Sequence, residues 1–405
     1  MGWKAFSNDV WQQASTMTVA GFRFPTGIAT EQTVPSNNLR EMTIADGEGR
    51  SIGDKAFQYC GSMYKLSLTS MKINEIHGNS FLGLGSLRIL DLSHNNLTFI
   101  PDEAFQWLGS LSEINLSFNK LYDSKKMGMM VSQFAQLVKI TMAVNNLPEV
   151  PDVSACNYLE SIDLSYNAFE KLQGIDTVGN YISPLRRLDR VTELDLSHNK
   201  IQWVDGNFFR DLKSLTNLKL GHNLIKSFQG YFFLRNVQYL DLSHNVLTNV
   251  GNETMIGDNM QNLKQFRLNE NQLVLCDAFF FQMSRLPHLQ ALDLKQANMP
   301  CICDIPSFRG VINTTSIVLE NPAGCLLQEP TSVCIGPTDA TFSCNGRVSK
   351  PETDAFCKKQ IKKYRPDDIC DAETGQPKAS WHDPDPSSSL SMTLSFAILF
   401  CMLLV

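Results

Sequence analysis

The chain has 405 residues, of which 43% are hydrophobic and 19% charged, and 41 Asp and Glu outnumber 35 Lys and Arg for a formal net charge of −6. This charge argues against nucleic-acid binding through a general basic surface. With 24 Gly and 17 Pro, the composition excludes collagen-like or broadly disordered chains and leaves enough apolar material for a large core.

Residues 1–38 form an N-terminal segment with none of the usual entry signals. The stretch MGWKAFSNDVWQQASTMTVAGF lacks the apolar core of a signal peptide. Gly2 follows Met1, but Phe6 stands where myristoylation needs Ser or Thr. We interpret this segment as an incomplete cap and expect the natural chain to start further upstream.

An internal repeat with steps of 22 to 32 residues occupies residues 39–299. The pattern L-x-x-L-x-L-x-x-N-x-L begins at Leu87 and returns at Leu111, and weaker copies extend it in both directions. A fixed period of this size indicates a solenoid, in which each unit needs its neighbours to close its core. The eleven units begin at Leu39, Met63, Leu87, Leu111, Leu137, Leu159, Val191, Leu215, Val237, Leu263 and Leu289.

Each part of the repeat predicts a structural role. The L-x-L alternation predicts short parallel strands with one buried face. The Asn column predicts a ladder of side-chain hydrogen bonds to buried backbone groups; its members are Asn95, Asn119, Asn145, Asn167, Asn199, Asn223, Asn245 and Asn271. Recurring aromatics predict a stacked spine on the opposite side, formed by Phe57, Phe81, Phe105 and Phe209.

This pattern resembles the leucine-rich repeat family, and phrases such as LRILDLSHNNLTFIPDEAFQWLGS are similar to its extracellular animal branch. The resemblance covers about Leu39 to Cys344. It implies an α/β-type repeat solenoid, a horseshoe with a concave parallel β-sheet and about eleven repeats. It also implies a non-enzymatic protein that binds a protein or glycan ligand on the concave face.

Candidate ligand-binding residues lie between and after the leucines of the strands. Immediately before Asn, three neighbouring units offer an exposed apolar and aromatic strip of Phe118, Val144 and Tyr166. Beside it lie acidic residues, and later units supply basic ones, so the face is predicted to be polarised; these are Glu160, Asp163, Glu193 and Asp195, then Lys219 and Arg267. The alternative is that all of them merely solvate a sheet.

Histidines recur in the position before Asn, and His198, His222 and His244 occupy consecutive units. Neighbouring strands lie close enough for three such rings to converge on a metal. However, LSHN is a recurrent phrase of the family, and no carboxylate is placed regularly enough to orient the imidazoles. We therefore predict no metal and no cofactor.

Cysteines crowd the region after the last repeat. Residues 300–344 resemble the C-terminal cysteine cap of secreted leucine-rich repeat proteins, and this resemblance pairs Cys301 with Cys325 and Cys303 with Cys344. Cys357 and Cys370 are candidates for a local loop, which leaves Cys334 unassigned. Zinc is the alternative, although the C-x-C spacing differs from the usual C-x2-4-C. Single cysteines inside repeats are interpreted as small buried hydrophobes: Cys60, Cys156 and Cys276.

The remaining signals concern compartment. Four sequons, at Asn96, Asn115, Asn252 and Asn313, are compatible with a secretory route. A polar stalk at 345–389 precedes a hydrophobic tail at 390–405, LSMTLSFAILFCMLLV, which lacks flanking basic residues and is short for a spanning helix. It is similar to a lipid-anchor signal, with a retained short span as the alternative.

Together these features predict a cell-surface recognition or adhesion protein at the extracellular face of the plasma membrane. Its expected partner is a protein ligand or a cell-surface receptor, with no nucleic acid. The chain lacks H-E-x-x-H, G-x-S-x-G and G-x4-G-K-[ST] motifs, which argues against catalysis. An enzyme-associated non-catalytic subunit and a soluble scaffold remain the alternatives.

Overall fold

The computed structural model describes residues 13–24, 27–28, 37–173, 182–228, 230–248, 250, 253–273, 282–283 and 285–294, and the backbone of short strands between 298 and 348. The chain divides into two compact units. The first comprises residues 1–200 and 207–215, and the second comprises residues 201–206 and 216–405.

Most elements are strands of two to five residues. They are β1 (Thr16–Ala20), β2 (Glu41–Ala45), β3 (Ser51–Ile52), β4 (Lys65–Thr69), β5 (Glu75–Ile76), β6 (Ile89–Asp91), β7 (Glu113–Asn115), β8 (Lys139–Thr141), β9 (Ser161–Asp163), β10 (Lys171–Leu172), β11 (Glu193–Asp195), β12 (Trp203–Val204), β13 (Asn217–Lys219), β14 (Tyr239–Asp241), β15 (Gln265–Arg267), β16 (Ala291–Asp293), β17 (Asn298–Met299), β18 (Val318–Asn321), β19 (Gly324–Cys325), β20 (Val333–Ile335), β21 (Thr341–Ser343) and β22 (Gly346–Val348). The helices are α1 (Ser124–Val131) and α2 (Glu253–Asn259), and 3₁₀ turns span Gly206–Phe209 and Gly230–Phe233.

Each unit contains a parallel sheet with one strand per repeat. In the first unit the order is β1, β2, β4, β6, β7, β8, β9, β11, and in the second it is β13, β14, β15, β16, β18. Neighbouring strands pair in register, for example Leu90 with Ile114. The predicted repeat solenoid with parallel strands is therefore confirmed, with about 10 turns where the sequence predicts eleven.

Most three-residue strands of the repeats have a buried apolar middle residue between two residues that are at least partly exposed. In β6 the central Leu90 is fully buried, while Ile89 and Asp91 are partly exposed. Because such a strand directs one side chain inward and two outward, a single repeat buries too little apolar surface to form a core of its own. Stacking the repeats supplies the remaining apolar contacts, as expected for a solenoid.

The predicted Asn ladder is confirmed. Asn145 is typical: its Oδ1 accepts from Leu121 N (3.0 Å), and its Nδ2 donates to Leu116 O (3.0 Å) and Met142 O (3.1 Å). One amide therefore satisfies backbone groups in its own repeat and in the one before. All eight members are 5–8% exposed, so these bonds are made away from competing water.

The aromatic spine is confirmed for Phe57, Phe81 and Phe105, and it continues to Phe134. Phe209 is buried as predicted, and its ring meets Phe208 edge-on at 5.4 Å. Ring centroids lie 6.4 Å apart for Phe57 and Phe81, 5.4 Å for Phe81 and Phe105, and 5.6 Å for Phe105 and Phe134. The sequence pattern misses Phe134 because α1 replaces the usual loop in that repeat. This helix begins with Asp123 as N-cap, whose side chain accepts from Lys126 N.

Two of the isolated cysteines behave as predicted, as buried thiols within the core. Cys60 and Cys156 are fully buried. The Cys156 thiol donates to Val131 O and Phe134 O at 3.2 and 3.4 Å. Burial raises the pKa of Cys156 to about 12. Cys276 lies outside the described residues.

The sheets extend further along the chain than the repeats predict. In the first unit β1 pairs with β2, one strand before Leu39, because M-T-V alternates like a repeat strand without its Leu and Asn signature. In the second unit β18, inside the predicted cap, pairs in parallel with β16.

The cysteine cap itself is not tested. The cysteines of the predicted cap and loop at Cys301, Cys303, Cys344, Cys357 and Cys370 lie outside the described residues, as do the hydrophobic tail and all of the stalk except the backbone of β22. Only backbone is described at Cys325 and Cys334. Across the part of the chain that is described, no helix reaches the length and apolar character that crossing a bilayer requires.

The ladder generates a stability prediction. Replacing Asn145 with Ala leaves the buried Leu121 N without its acceptor and removes one of the two amide donors to Leu116 O and to Met142 O, which keep Asn119 and Asn167. The free energy of unfolding should therefore fall by about 1–3 kcal/mol. Asn146→Ala is the matched control, because Asn146 is the adjacent residue and its side chain is exposed. Chemical denaturation measures both. Equal stability of the two variants would contradict a structural role for the ladder.

Candidate functional site

A residue in the left-handed conformation follows each strand of the central repeats, immediately before Asn. In the first unit these residues have φ values of 54–57° and form what we call the ring column: His94, Phe118, Val144, Tyr166 and His198. Non-glycine residues rarely adopt this conformation. Here hydrogen bonds between repeats hold it, since the N–H groups of Phe118, Val144 and Tyr166 donate to carbonyls of the next repeat at 2.9 Å.

Within the ring column, the aromatic side chains stack in pairs. His94 lies against Phe118 with centroids 4.0 Å apart, and Tyr166 lies against His198 at 3.9 Å, both nearly parallel. Phe118 and Tyr166 are 46% and 48% exposed, as the predicted strip requires. Val144 corrects that prediction, because it is half-buried rather than exposed.

The predicted acidic residues lie together on the outward face of the first sheet. Asp163 and Asp195 are Cα partners on β9 and β11, and Glu193 pairs with Ser161. Glu160 precedes β9 and is exposed, like Glu193. The structure thus brings these four carboxylates to two adjacent repeats, beside the Tyr166–His198 pair.

These carboxylates differ in what they do. Asp163 Oδ1 accepts from Ser165 N (3.0 Å) and Ser165 Oγ (2.7 Å), so it supports the turn that presents Tyr166. Asp195 binds Ser197 in the same way. No Lys or Arg among the described residues forms an ion pair with Glu160, Asp163 or Glu193. A local negative potential therefore remains on this face.

The predicted basic residues lie in the second unit. Lys219 and Arg267 are exposed and occupy the strand ends of β13 and β15. Arg267 also takes part in an arrangement that was not predicted from the sequence. Its guanidinium lies over the Tyr239 ring at 5.6 Å, and Tyr239 Oη donates to Asp241 Oδ2 at 3.1 Å. The alignment of the repeats could have predicted this proximity, because Asp241 and Arg267 are paired residues of adjacent strands.

The histidines stack rather than converge. His222 and His244 lie face to face with centroids 3.9 Å apart, and His198 is stacked on Tyr166. Face-to-face imidazoles do not direct their nitrogen lone pairs at a common point. Among the described residues, no group of three or more His, Cys, Asp or Glu side chains is arranged to hold a metal ion.

A groove of about 960 Å³ on the flank of the first unit is the other candidate. Arg186 and Asp152 line it, and their side chains form a 2.8 Å ion pair. Partial burial pushes the pKa of Asp152 up, but hydrogen bonds from Ser154 and Arg186 outweigh it and hold this pKa below its ordinary value. Because these two charges already form an ion pair, the groove is a weaker candidate for ligand binding than the outward face.

Two of the four sequons can be placed. Asn115 lies on β7, half-buried on the outward face, with its Oδ1 accepting from Ser117 N at 3.0 Å. Asn96 is also half-buried. Asn252 and Asn313 lie outside the described residues, and glycosylation at all four sites stays a prediction.

The comparisons with known proteins concern the repeats. A family model described as Leucine rich repeat matches residues 37–95, 61–121 and 189–247. No curated protein sequence matches the chain significantly. Among solved structures, an internalin (inlF) from Listeria monocytogenes is similar, with a TM-score of 0.52 and 19% identity, covering 78% of this chain and 87% of its own.

The complex of TLR13 with ssRNA13 is similar too, with a TM-score of 0.51, 19% identity and 71% of this chain covered. This chain spans about half of the TLR13 chain, 48%. At these identities the likeness shows the fold alone.

The two kinds of carboxylate predict different mutational effects. Asp163→Ala leaves the buried Ser165 Oγ and N–H without their acceptor, so it should destabilise the protein by about 1–3 kcal/mol. Glu160→Ala removes the same charge but only an exposed side chain, so it should change stability by less than about 0.5 kcal/mol. Thermal unfolding of both variants checks this. A Glu160 variant as unstable as the Asp163 variant would refute the distinction.

Proposed function

We propose that this chain, which a leucine-rich repeat model matches at residues 37–121 and 189–247, is a non-enzymatic recognition protein whose outward face in the first unit binds a protein ligand. Leucine-rich repeat proteins generally serve as protein-interaction modules. One observation carries the proposal most directly: Phe118 and Tyr166, about half exposed, are held in fixed orientation on this face.

The fixed orientation matters because binding must overcome the entropy of ordering flexible side chains. Here the backbone of each anchor is fixed by hydrogen bonds between repeats, and one face of each ring is fixed by a stacked histidine. Exposed aromatics that are ordered before binding are favoured anchors for protein partners. The neighbouring carboxylates supply charge that steers encounter and selects the partner.

The finer proposal is that this recognition occurs at the cell surface. The sequons, the cysteine-rich segment after the repeats and the hydrophobic stretch 390–405 support a secreted and membrane-attached protein. The competing proposal is a soluble intracellular scaffold or a non-catalytic enzyme subunit.

Substitution of the anchors tests the binding proposal. Phe118→Ala and Tyr166→Ala should each weaken a partner by about 1–4 kcal/mol, because each removes a fixed aromatic contact. Tyr59→Ala is the matched control, since Tyr59 is 53% exposed but lies outside the ring column. Titration calorimetry gives the affinities. Unchanged affinity in both anchor variants, with the fold intact, would place the binding site elsewhere.

Surface labelling of intact cells tests the location. The cell-surface proposal predicts that an antibody reaches the protein without permeabilisation, and that phosphatidylinositol-specific phospholipase C releases it into the medium. Mass mapping without reduction should then find Cys301 and Cys303 in disulfides. Free thiols at both positions, in protein labelled only after permeabilisation, would favour the intracellular scaffold.

A further inference from the structure

The ring column in the first unit has one position without a ring. Its order is His94, Phe118, Val144, Tyr166, His198, one residue per repeat. His94 covers one face of Phe118 at 4.0 Å, and His198 covers one face of Tyr166 at 3.9 Å. The remaining faces of both rings are therefore directed toward the repeat that carries Val144. We call the space bounded by Phe118, Val144 and Tyr166 the Val144 slot.

The slot has the width of one planar group. Adjacent strands lie about 4.8 Å apart, so two rings separated by two repeats stand roughly 9.5 Å apart. A planar group between them needs contact distances of about 3.5–4.0 Å on each side. One guanidinium or one aromatic ring fits this space, and a second does not.

Val144 is also the member of the column least suited to its backbone. Its φ is 55°, and a β-branched residue in the left-handed region is a steric outlier. Such strain persists only where the surrounding structure holds it, and it concentrates at functional positions. A short side chain here keeps the facing surfaces of Phe118 and Tyr166 uncovered.

The charge beside the slot is mostly negative, although the exposed Lys139 lies on β8 in the same repeat as Val144. Asp163 lies three residues before Tyr166 in the same repeat, and its Oδ1 is held by Ser165. Its Oδ2 accepts no hydrogen bond from the described residues. Glu160 and Glu193 extend the negative charge along the face. The face of an aromatic ring also attracts cations. The rings of Phe118 and Tyr166 and the neighbouring carboxylates therefore both favour a positively charged ligand group.

A guanidinium satisfies both requirements at once. It is planar, stacks on aromatic rings and donates to carboxylates, whereas an ammonium is a compact, strongly hydrated charge. The chain contains the same pairing in its own surface, because Arg190 lies over the Tyr158 ring at 4.7 Å. In the second unit the same kind of pairing, Arg267 over the Tyr239 ring, also includes a carboxylate, because Tyr239 donates to Asp241.

We propose that the Val144 slot binds an arginine side chain of a protein partner. The guanidinium stacks on Tyr166 or Phe118 and donates to Asp163 Oδ2. This proposal rests on the proposed function and deepens it, because it names the side chain that the outward face selects. A partner segment that bears arginine in a basic stretch also complements the charge of Glu160 and Glu193.

The test uses the full chain and a random-peptide phage library as probe. Peptides selected on the wild type should be enriched in arginine over lysine. Val144→Phe fills the slot with a ring, so their affinity should fall about tenfold or more. Ser70→Phe is the matched control, with the same substitution in another left-handed turn of this unit (φ 55°), and it should change affinity less than about twofold.

Two further measurements keep the test decisive if Val144→Phe folds poorly by circular dichroism. Asp163→Asn should weaken the selected peptides about threefold to tenfold. Asn can keep the bond from the backbone N–H of Ser165, since Asn115 Oδ1 accepts from Ser117 N in the same turn. Replacing the peptide arginine by lysine should weaken binding about threefold or more.

The outcomes separate the two proposals. Peptides that lose affinity for Phe118→Ala or Tyr166→Ala but bind Val144→Phe as tightly as wild type overturn the slot and leave the proposed function standing. If such peptides are not enriched in arginine, this result also overturns the slot and leaves the proposed function standing. A library without any binder sensitive to Phe118→Ala or Tyr166→Ala counts against both. Peptides that require added calcium instead of arginine also overturn the slot.

Discussion

Backbone hydrogen bonding between repeats is the constraint on which the rest of the structure depends. A strand of three residues followed by a turn leaves buried N–H and C=O groups that its own repeat does not satisfy. The Asn ladder satisfies them: Asn119, for example, joins Leu97 N to the carbonyls of Leu92 and Leu116. An unsatisfied buried group of this kind costs about 1–3 kcal/mol, so the eight repeats that carry the Asn depend on it.

The ladder also determines where the functional side chains lie. In all eight of these repeats the residue before the inward-turned Asn adopts the left-handed conformation, and its side chain is at least partly exposed. The same geometry in successive repeats produces the ring column, with one side chain per strand spacing. The buried Asn of the ladder is therefore adjacent in sequence to the exposed residue of the ring column. The recognition that we propose for this face would therefore use positions that are fixed for structural reasons.

The sequence predicted the fold because its signal is periodic. The Leu and Asn columns, and Phe57 to Phe105 of the spine, follow from spacing alone. Strand β1 was missed because Thr16–Ala20 alternates without Leu or Asn, and Phe134 was missed because α1 shifts the aromatic by three residues. These errors arise where a repeat departs from its own period, and a pattern search has no physical basis for finding them.

The candidate site was predicted in part. Spacing placed Phe118, Val144 and Tyr166 in one column, but it does not report ring orientation. The stacking of His94 and His198, and the half-burial of Val144, depend on side-chain packing between repeats. Similarly, Glu160 and Asp163 look alike in sequence, and only the hydrogen bonds to Ser165 distinguish the structural carboxylate from the exposed one.

Hydrogen exchange of the full chain, resolved to single amides, tests the central claim most directly. The amides of Leu97, Leu121 and Leu147 donate to Asn side chains rather than to backbone. If the ladder holds the repeats together, these amides exchange as slowly as those of the adjacent strands, through the same cooperative opening. Exchange at the rate of exposed turn amides, while the strands stay protected, would show that the repeats stack without it.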